Sequence, residues 1–443
     1  MITMKKFTIA IDGPVGAGKS SVAGEVAKKL DILHLDTGAM YRAFALKAIR
    51  EGIELTDENA LTALAENNLP EVEYRDGSQL TLLDGEDVSG LIRTEEISMA
   101  TSTVSKYAGV RRAMVKKQQE LAKKQSMLLD GRDIGTVVLP DATLKIYLTA
   151  SPEARARRRF DQLTAKGEEC IYEDILADVI KRDQQDMNRE VDPLRPADDA
   201  QILDTTDMNQ EQTVDNIIRR LELKRGRMPK KSEKFTWLYN FVFRMFGFFY
   251  RTILPVKVHG LENTLLDAPY ILISNHNSLF DPITIGEPIR RYHVRFLGKK
   301  ELEKNPILKK AFAICRMIPV DRHNMDMAAV RSCLKVLKDK QVLGVFPEGT
   351  RHKEGVMQEL ESGIAMIALR GKAPLLPAYM TSKLRLFRTT HLYYGQPISV
   401  SELAARGINK ENCEELLETI RKTYRDMVAK HEETYGKKQK KNK

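Results

Sequence analysis

Cysteine is scarce in this sequence. Only four occur among 443 residues, at positions 170, 315, 333 and 413, and no two of them form a C-x-x-C pair. This usage argues against a disulfide framework and favours a reducing, cytoplasmic setting.

Long apolar runs are also lacking. No stretch approaches the ~18 apolar residues that a bilayer-spanning helix needs, and Arg244 and Arg251 interrupt the most aromatic part of the chain. Residues 1–20 read as a strand and a glycine loop, without the charged start and apolar core of a signal peptide. We therefore expect a cytoplasmic protein without a membrane span.

Net positive charge is nearly absent from most of the chain, although the formal net charge of the whole is +10. Residues 219–234 carry eight Lys/Arg against two Glu, and the last ten residues add five Lys and no acid. A basic domain face for nucleic acid is therefore not predicted. Anionic lipid headgroups fit better, since each such cation contributes about 1 kcal/mol near a charged bilayer. A solvated linker and tail that serve solubility are the alternative.

The segment 235–255 (the aromatic segment below) contains nine aromatic residues in twenty-one positions. Large apolar residues recur there at three- and four-residue steps, which predicts an amphipathic helix: Trp237, Leu238, Phe241, Met245, Phe248 and Phe249. Aromatic helices with basic flanks lie in the bilayer interface. The alternative is that this helix packs against a folded domain. At 443 residues the chain is long enough for two or three domains.

The N-terminal motif reads strand, glycine loop, helix. Lys6–Asp12 is a short apolar run typical of a buried strand, and Lys19–Leu30 is a good helix former. Between them, GPVGAGKS fits G-x-x-x-x-G-K-[ST], whose backbone N–H groups wrap phosphates. The predicted ATP-binding loop comprises Gly13, Pro14, Val15, Gly16, Ala17, Gly18, Lys19 and Ser20. Lys19 would neutralise the β- and γ-phosphate oxygens, and Ser20 would bind Mg²⁺.

Arginine and aspartate recur in the segments that follow. Phosphoryl transfer needs several cations, whereas carboxylates suit base amino groups or ribose hydroxyls. The segment ARARRRF, residues 154–160, is typical of a lid over phosphates. Taken singly, each arginine is better explained as a member of a surface ion pair than as a phosphate ligand.

Together these motifs resemble bacterial cytidylate kinase from residue 5 to about 221: GPVGAGKS, LDTGAMYR, GEDVSGLIRT, VRRAMVKKQQ, DGRDIGTVVLPDA and KRDQQDMNREVDPL. The resemblance implies a P-loop kinase fold with a parallel sheet, and ATP-dependent phosphorylation of CMP or dCMP. It assigns Arg158 to ATP and gives Arg132 a catalytic role as well. The implied CMP-binding residues are Thr37, Arg42, Arg111, Arg132, Asp133, Arg182, Asp186 and Arg189. Two alternating runs around Asp76-Gly77 predict a hairpin that matches the family's nucleotide-monophosphate-binding insert.

The C-terminal half offers a histidine base. Tyr270–Ile273 reads as a buried strand, and the sequence that follows, SNHNSLFDP, places Asp281 five residues after His276. The carboxylate would hold one ring nitrogen, so that the other can accept a proton from an alcohol. By itself this spacing fits a capping Asp beside a buried His better than a catalytic pair.

Further blocks point the same way: LGKKEL, IPVDR, FPEGTR and LLPAYM. With NHNSLFD they resemble 1-acylglycerol-3-phosphate acyltransferase over residues 235 to about 432. The resemblance makes His276 the base and Asp281 its orienter. It implies an acceptor-phosphate site of Lys299, Arg322, Glu348, Gly349, Thr350 and Arg351. No metal or covalent acyl-enzyme is implied.

The sequence thus predicts two fused α/β enzymes. The expected parts are a kinase domain 1–221 (insert about 71–93, lid about 152–170), a basic linker 222–234, the aromatic segment 235–255, an acyltransferase domain 256–433 and a basic tail 434–443. Expected partners are ATP with Mg²⁺, CMP or dCMP, lysophosphatidic acid, acyl-coenzyme A or acyl carrier protein, and the inner face of the cell membrane. Other acceptors, such as glycerol 3-phosphate or a lyso-aminolipid, and a catalytically silent tether stay open.

Overall fold

The computed structural model describes residues 6–75, 77–189, 191–226, 241, 245, 252–278, 280–289, 291–299, 317–320, 327–348 and 356–436. Contacts between Cα atoms divide the chain into two compact units, residues 1–226 and 227–443. Of the helices described, none combines the length and the apolar character that crossing a bilayer requires.

The first unit contains eight described strands: β1 Thr8–Asp12, β2 Leu33–Asp36, β3 Glu71–Arg75, β4 Ser78–Leu83, β5 Glu86–Asp87, β6 Met127–Gly131, β7 Leu144–Thr149 and β8 Gln201–Asp204. Five of them form a parallel sheet in the order β2-β6-β1-β7-β8. The central strands β6, β1 and β7 are almost wholly buried, as expected when both faces of a parallel sheet are covered.

Eight α-helices are described beside these strands: α1 Lys19–Leu30, α2 Thr37–Arg50, α3 Glu58–Asn67, α4 Glu95–Val104, α5 Ala108–Ala122, α6 Pro152–Ala165, α7 Tyr172–Met187 and α8 Gln210–Lys224. The helix predicted at Lys19–Leu30 is confirmed at both ends. Asp36 caps α2, because its carboxylate accepts the Ala39 N–H at 2.9 Å. This cap fixes the point where β2 gives way to a helix.

The hairpin predicted around Asp76-Gly77 is also confirmed. Strands β3 and β4 pair antiparallel, and β5 adds to β4 to make a three-stranded sheet. Gln79 ties this insert to the parallel sheet, since its side-chain oxygen accepts the Asp36 N–H at 2.7 Å. The insert therefore meets the start of α2, which is where predicted CMP-binding residues begin.

The second unit contains seven described strands: β9 Val256–His259, β10 Tyr270–Ser274, β11 Val294–Lys299, β12 Ile318–Val320, β13 Val342–Val345, β14 Leu375–Met380 and β15 Thr390–Tyr394. Its described helices are α9 Asp281–Gly286, α10 Met327–Lys338, α11 Gly363–Gly371, α12 Ser401–Ala405 and α13 Lys410–His431. The sheet order is β12-β11-β13-β10-β14-β15-β9, and every neighbouring pair is parallel except β14–β15.

Helix α13 anchors the centre of this second sheet. Tyr424 is fully buried, and its hydroxyl donates to the Ile273 carbonyl at 2.8 Å and the Ala378 carbonyl at 3.0 Å. Those two carbonyls belong to the neighbouring strands β10 and β14. The amphipathic run Lys410 to Lys430 predicts a long helix that closes the domain, and the structure confirms it over Lys410–His431.

The predicted α/β class is confirmed in both units. The predicted linker at 222–234 is wrong at its start, because α8 continues to Lys224 on a face anchored by buried Leu221. Most of the aromatic segment lies outside the described residues. Within it, the structure describes only Phe241, Met245 and residues 252–255. Residues 437–443 of the predicted tail lie outside them as well.

Candidate active sites

The glycine loop follows β1 and has the backbone that the motif requires. Gly13 has φ +154°, and a Cβ there would lie 2.0 Å from the Leu148 carbonyl oxygen. Gly18 has φ +82° at the N-terminus of α1. Lys19 is buried, and its Nζ donates to the Pro14 carbonyl at 2.7 Å. Burial, helped by the charge of Arg132, lowers the pKa of Lys19 to about 7.

Asp130, at the end of β6, lies beside this loop. Its carboxylate accepts the Ser20 hydroxyl at 2.8 Å and contacts His34 Nε2 at 2.6 Å. Burial alone would raise the pKa of Asp130, but the hydrogen bonds from His34 and Ser20 and the charge of Lys19 hold it below its usual value. A hydroxyl and a carboxylate side by side are the oxygen ligands that Mg²⁺ prefers.

Asp12 joins the glycine loop to the loop after β6. Its carboxylate accepts the N–H groups of Ile134 and Gly135, each at 2.7 Å. Burial raises the pKa of Asp12 to about 6 despite these bonds. These hydrogen bonds hold the end of β1 in a fixed position relative to the DGRD segment, residues 130–133.

Most of the predicted CMP-binding residues pair with one another or with nearby carboxylates. Arg111 is buried and pairs with Asp133 and, at 2.8 Å, with Asp192. Arg132 pairs with Asp186 at 2.7 Å. The structure thus brings together residues that lie as much as 81 positions apart in the sequence.

Arg42 and Arg189 belong to the same surroundings. Arg42 pairs with Asp36 at 3.1 Å, and Arg189 donates to the Asp192 carbonyl. The Nε atoms of both arginines are buried and have no hydrogen-bond acceptor among the described residues. Thr37 is buried and donates its hydroxyl to the Asp130 carbonyl at 2.7 Å. Buried donors without partners are suited to an anionic ligand.

Two further predicted arginines are placed elsewhere. Arg182 pairs with Asp178 on an exposed part of α7. Arg158 donates to the carbonyl and hydroxyl of Thr205, in the loop after β8. The arginine of the ARARRRF segment that contacts the glycine loop is Arg155.

Arg155 is buried and joins three parts of the unit. It donates to the Val15 carbonyl at 2.8 Å and to both carboxylate oxygens of Asp183, at 2.9 and 2.5 Å. It also donates to the Ala150 carbonyl at 3.0 Å. The glycine loop, α6 and α7 therefore share one charged side chain.

In the second unit, His276 lies in the loop that follows β10, and Asp281 is the first residue of α9. His276 Nδ1 is 2.9 Å from Asp281 Oδ2, and Asp281 is fully buried. The same oxygen accepts the N–H groups of Asn277 at 2.6 Å and Ser278 at 2.7 Å, and Oδ1 accepts the Ser278 hydroxyl at 2.9 Å. Asp281 Oδ2 is thus in position to accept Nδ1–H, which directs Nε2 to the proton-transfer role.

Glu348 holds the loop of His276 from the neighbouring strand. Its carboxylate accepts the backbone N–H of His276 at 3.2 Å and of Met357 at 2.7 Å. The His276 ring also stacks on Phe346, with centroids 4.3 Å apart. Phe346 in turn stacks on Phe296 at 5.5 Å. Glu348, predicted to bind acceptor phosphate, therefore has a carboxylate occupied in positioning two backbone segments.

The predicted acyltransferase residues follow the carboxyl ends of adjacent strands. His276 comes two residues after β10, Glu348 three residues after β13, and Lys299 ends β11. Arg322 comes two residues after β12 in the sequence. In a sheet of parallel strands these ends share one edge, where open α/β sheets bind ligands. Four predicted residues lie outside the described part of the chain: Arg322, Gly349, Thr350 and Arg351, together with the side chain of Lys299.

Comparison with known proteins bears on the first unit. Residues 9–223 match the Cytidylate kinase family model. Cytidylate kinase of Caldicellulosiruptor saccharolyticus is 48% identical over 215 residues, which are 48% of this chain and 95% of that protein. The chain belongs to the cytidylate kinase family. Cytidylate kinase of Bacillus subtilis strain 168 is 45% identical over 220 residues, which are 50% of this chain and 98% of that protein.

The second unit carries an acyltransferase domain, since residues 255–381 match the Acyltransferase family model. A solved structure of the 1-acyl-sn-glycerophosphate acyltransferase from Thermotoga maritima is 24% identical and covers 49% of this chain and 83% of its own, with a TM-score of 0.32. That score is too low to bear on function.

Sequence reasoning missed several residues of both sites. In the kinase domain these are His34, Asp130 as the Ser20 partner, and Arg155; in the acyltransferase domain, Phe346 and the positioning contacts of Glu348. The ARARRRF segment offered four arginines without a signal to choose among them. Burial of Arg155, which only the packed structure reveals, separates it from the others.

Proposed function

We propose that the kinase domain transfers the γ-phosphoryl group of ATP to CMP or dCMP. The observation that carries this proposal is the pairing of buried Arg111 with Asp133 and of half-buried Arg132 with Asp186, beside Lys19. Arginines suit the acceptor phosphate, and the carboxylates suit the amino and hydroxyl groups of a cytidine nucleotide.

The transfer is a direct in-line displacement. A phosphate oxygen of CMP attacks the γ-phosphorus, the bond to the β–γ bridging oxygen breaks, and ADP leaves. Lys19 and Arg132 would neutralise charge that spreads over the equatorial oxygens. Ser20 and Asp130 would hold Mg²⁺, which would supply positive charge to stabilise the phosphates. Arg155 would keep the glycine loop in position as the lid closes.

Acceptor choice tests the kinase proposal. We would measure ADP release by the full chain with MgATP and CMP, dCMP, UMP or AMP, and we expect CMP and dCMP to be preferred. R132M should lower kcat about 10²- to 10³-fold. Arg182 stays in the proposed set only if R182M also loses activity with CMP, because the structure pairs it with Asp178. Equal rates with AMP would refute the proposal.

We also propose that the acyltransferase domain esterifies the 2-hydroxyl of 1-acylglycerol 3-phosphate. The observation that carries this is the fully buried Asp281 bound to His276 Nδ1. His276 Nε2 takes the hydroxyl proton as the oxygen attacks the thioester carbonyl, then gives it to the departing thiolate when the C–S bond breaks. Asp281 stabilises the imidazolium between these steps. Glu348 is a positioning residue in this proposal.

The acceptor phosphate would bind at the shared strand edge. Lys299, Arg322 and Arg351 are the cations proposed for it, with Gly349 and Thr350 beside them in the FPEGTR loop. The aromatic segment and its basic flank would keep the domain at the inner face of the cell membrane.

A direct assay tests the acyltransferase proposal. Full chain on anionic vesicles would be supplied with lysophosphatidic acid and labelled acyl-coenzyme A or acyl carrier protein. We expect phosphatidate from the wild type and none from H276A, with CMP phosphorylation intact in both. Product from glycerol 3-phosphate or a lyso-aminolipid instead would replace the acceptor. No product with any acceptor would leave this domain as a tether.

A further inference from the structure

The turn between β14 and β15, residues 381–389, presents two large apolar side chains to solvent. Phe387 is 77% exposed and Leu386 is 65% exposed. Among the described residues these are the most exposed large apolar side chains. Neither the kinase nor the acyltransferase chemistry uses them.

The backbone of this turn places Phe387 in a disfavoured conformation. The Arg388 N–H donates to the Arg385 carbonyl at 3.3 Å, which closes a four-residue turn. Phe387 is its third residue and has φ +54°, where turns of this kind favour glycine or asparagine. The Phe387 N–H donates to the Ile253 carbonyl at 2.8 Å, which fixes the turn. An outlier of this kind points to a function for the side chain.

Three cations flank the two apolar residues. Lys383, Arg385 and Arg388 are exposed, and residues 381–389 contain no acid. In the part of the chain that the structure describes, none of the three forms an ion pair. Exposed apolar side chains flanked by cations complement an anionic bilayer. The apolar side chains enter the boundary between headgroups and acyl chains, and the cations bind the anionic headgroups.

The turn leaves the sheet at the edge that carries the histidine. The Asn275 side chain, next to His276, pairs with both the N–H and the carbonyl of Met380, each at 2.9 Å. Met380 is the last residue of β14. At the other end of the turn, the Thr390 N–H donates to the Pro255 carbonyl at 2.9 Å. The end of the aromatic segment therefore reaches the same edge.

We propose that residues 381–389 form a membrane-inserting turn that seats the His276 edge of the acyltransferase domain on an anionic bilayer. Leu386 and Phe387 enter the interface, and Lys383, Arg385 and Arg388 bind lipid phosphates. This inference rests on the proposed lipid acyltransferase, whose acceptor would reach His276 from the same bilayer.

Vesicle sedimentation with the full chain tests the apolar contribution. On phosphatidylglycerol-rich vesicles, L386S/F387S should bind about 30-fold more weakly than wild type or worse, because two apolar side chains leave the interface. M99S/I171S is the matched control, since Met99 and Ile171 are exposed to 64% and 61% but lie in the kinase unit. It should bind as wild type does. Retained CMP kinase activity and an unchanged unfolding temperature show that both variants are folded.

Charge is tested separately. The triple variant K383Q/R385Q/R388Q should lose about 100-fold in affinity for anionic vesicles, at about fivefold for each cation. Its weaker binding to neutral phosphatidylcholine vesicles should match that of wild type. Equal loss on both lipids would contradict a role in binding phosphates.

Fluorescence locates the turn directly. In W237F/F387W the single tryptophan should shift to shorter wavelength on vesicles and be quenched by brominated lipid. An unshifted emission, or L386S/F387S bound as tightly as wild type, would overturn the proposal and favour a protein partner at this turn. H276A should bind vesicles normally. A wild type that binds through the turn but forms no phosphatidate would refute the proposed acyltransferase function and leave the membrane contact standing.

Discussion

Asp281→Asn separates the charge of Asp281 from its geometry. Oδ2 accepts three N–H donors, from His276, Asn277 and Ser278, whereas Oδ1 accepts the Ser278 hydroxyl. An asparagine whose amide oxygen takes the Oδ2 position keeps all three N–H bonds. Its NH₂ group can donate to the Ser278 hydroxyl oxygen, because a hydroxyl can also accept. The substitution therefore removes the negative charge and leaves the loop nearly unchanged.

The expected loss in rate follows from the charge of the His276 imidazolium, which exists only during the reaction. Two opposite charges ~4 Å apart interact by about 4 kcal/mol at an effective dielectric constant of about 20. That corresponds to about 10³-fold in rate. Because the stabilised charge is absent in the ground state, the loss should fall on kcat and leave KM nearly unchanged. We expect kcat of D281N to fall about 10²- to 10³-fold.

Both activities can be measured in one preparation. CDP formation reports the amount of folded protein, and phosphatidate formation reports the effect of D281N. D281A should lose stability as well, by about 1–3 kcal/mol for each backbone N–H left without an acceptor. If D281N keeps acyl transfer within about threefold of wild type, Asp281 is only a cap for the following helix, as its spacing also allowed.

Three further outcomes follow from buried polar groups. The pKa of Lys19 is lowered from 10.5 to about 7, so its stabilising contribution is present above pH 10.5 and is lost as pH falls to about 7. ATP phosphates restore its charge, and binding of MgATP at about pH 8 should take up a proton, which calorimetry in two buffers detects. R155M should destabilise the kinase unit by about 3 kcal/mol in denaturant unfolding, because Asp183 is left half-buried without its partner. Y424F should cost about 1–2 kcal/mol, because two strand carbonyls lose a donor.

Each outcome has a control. K19M should abolish the proton uptake, and uptake that persists would assign it to another group. R155K keeps one charge and should recover part of the lost stability; if R155M unfolds like wild type, Arg155 does not hold the glycine loop. Y424F should retain CMP kinase activity in full, and a loss there would contradict separate units.

Local motifs were predictable because their chemistry is local. The strand, glycine loop and helix at 8–30 form from contiguous residues, and so do the turn that joins His276 to Asp281 and the hairpin around Gly77. Hydrophobic periodicity likewise determined α13 nearly to the residue. The family motifs added the fold class, because they occur in order along each half.

Contacts between distant residues were decided by the tertiary structure. Ser20 meets Asp130 across 110 positions and His276 meets Glu348 across 72, and no sequence spacing encodes either pair. Arg155 differs from its neighbouring arginines only in burial. Phe387 occupies a left-handed turn position where sequence rules expect glycine. The sequence by itself determined which chemical groups each half carries, whereas packing determined which of them meet, because parallel strands bring the ends of distant segments to one edge of a sheet.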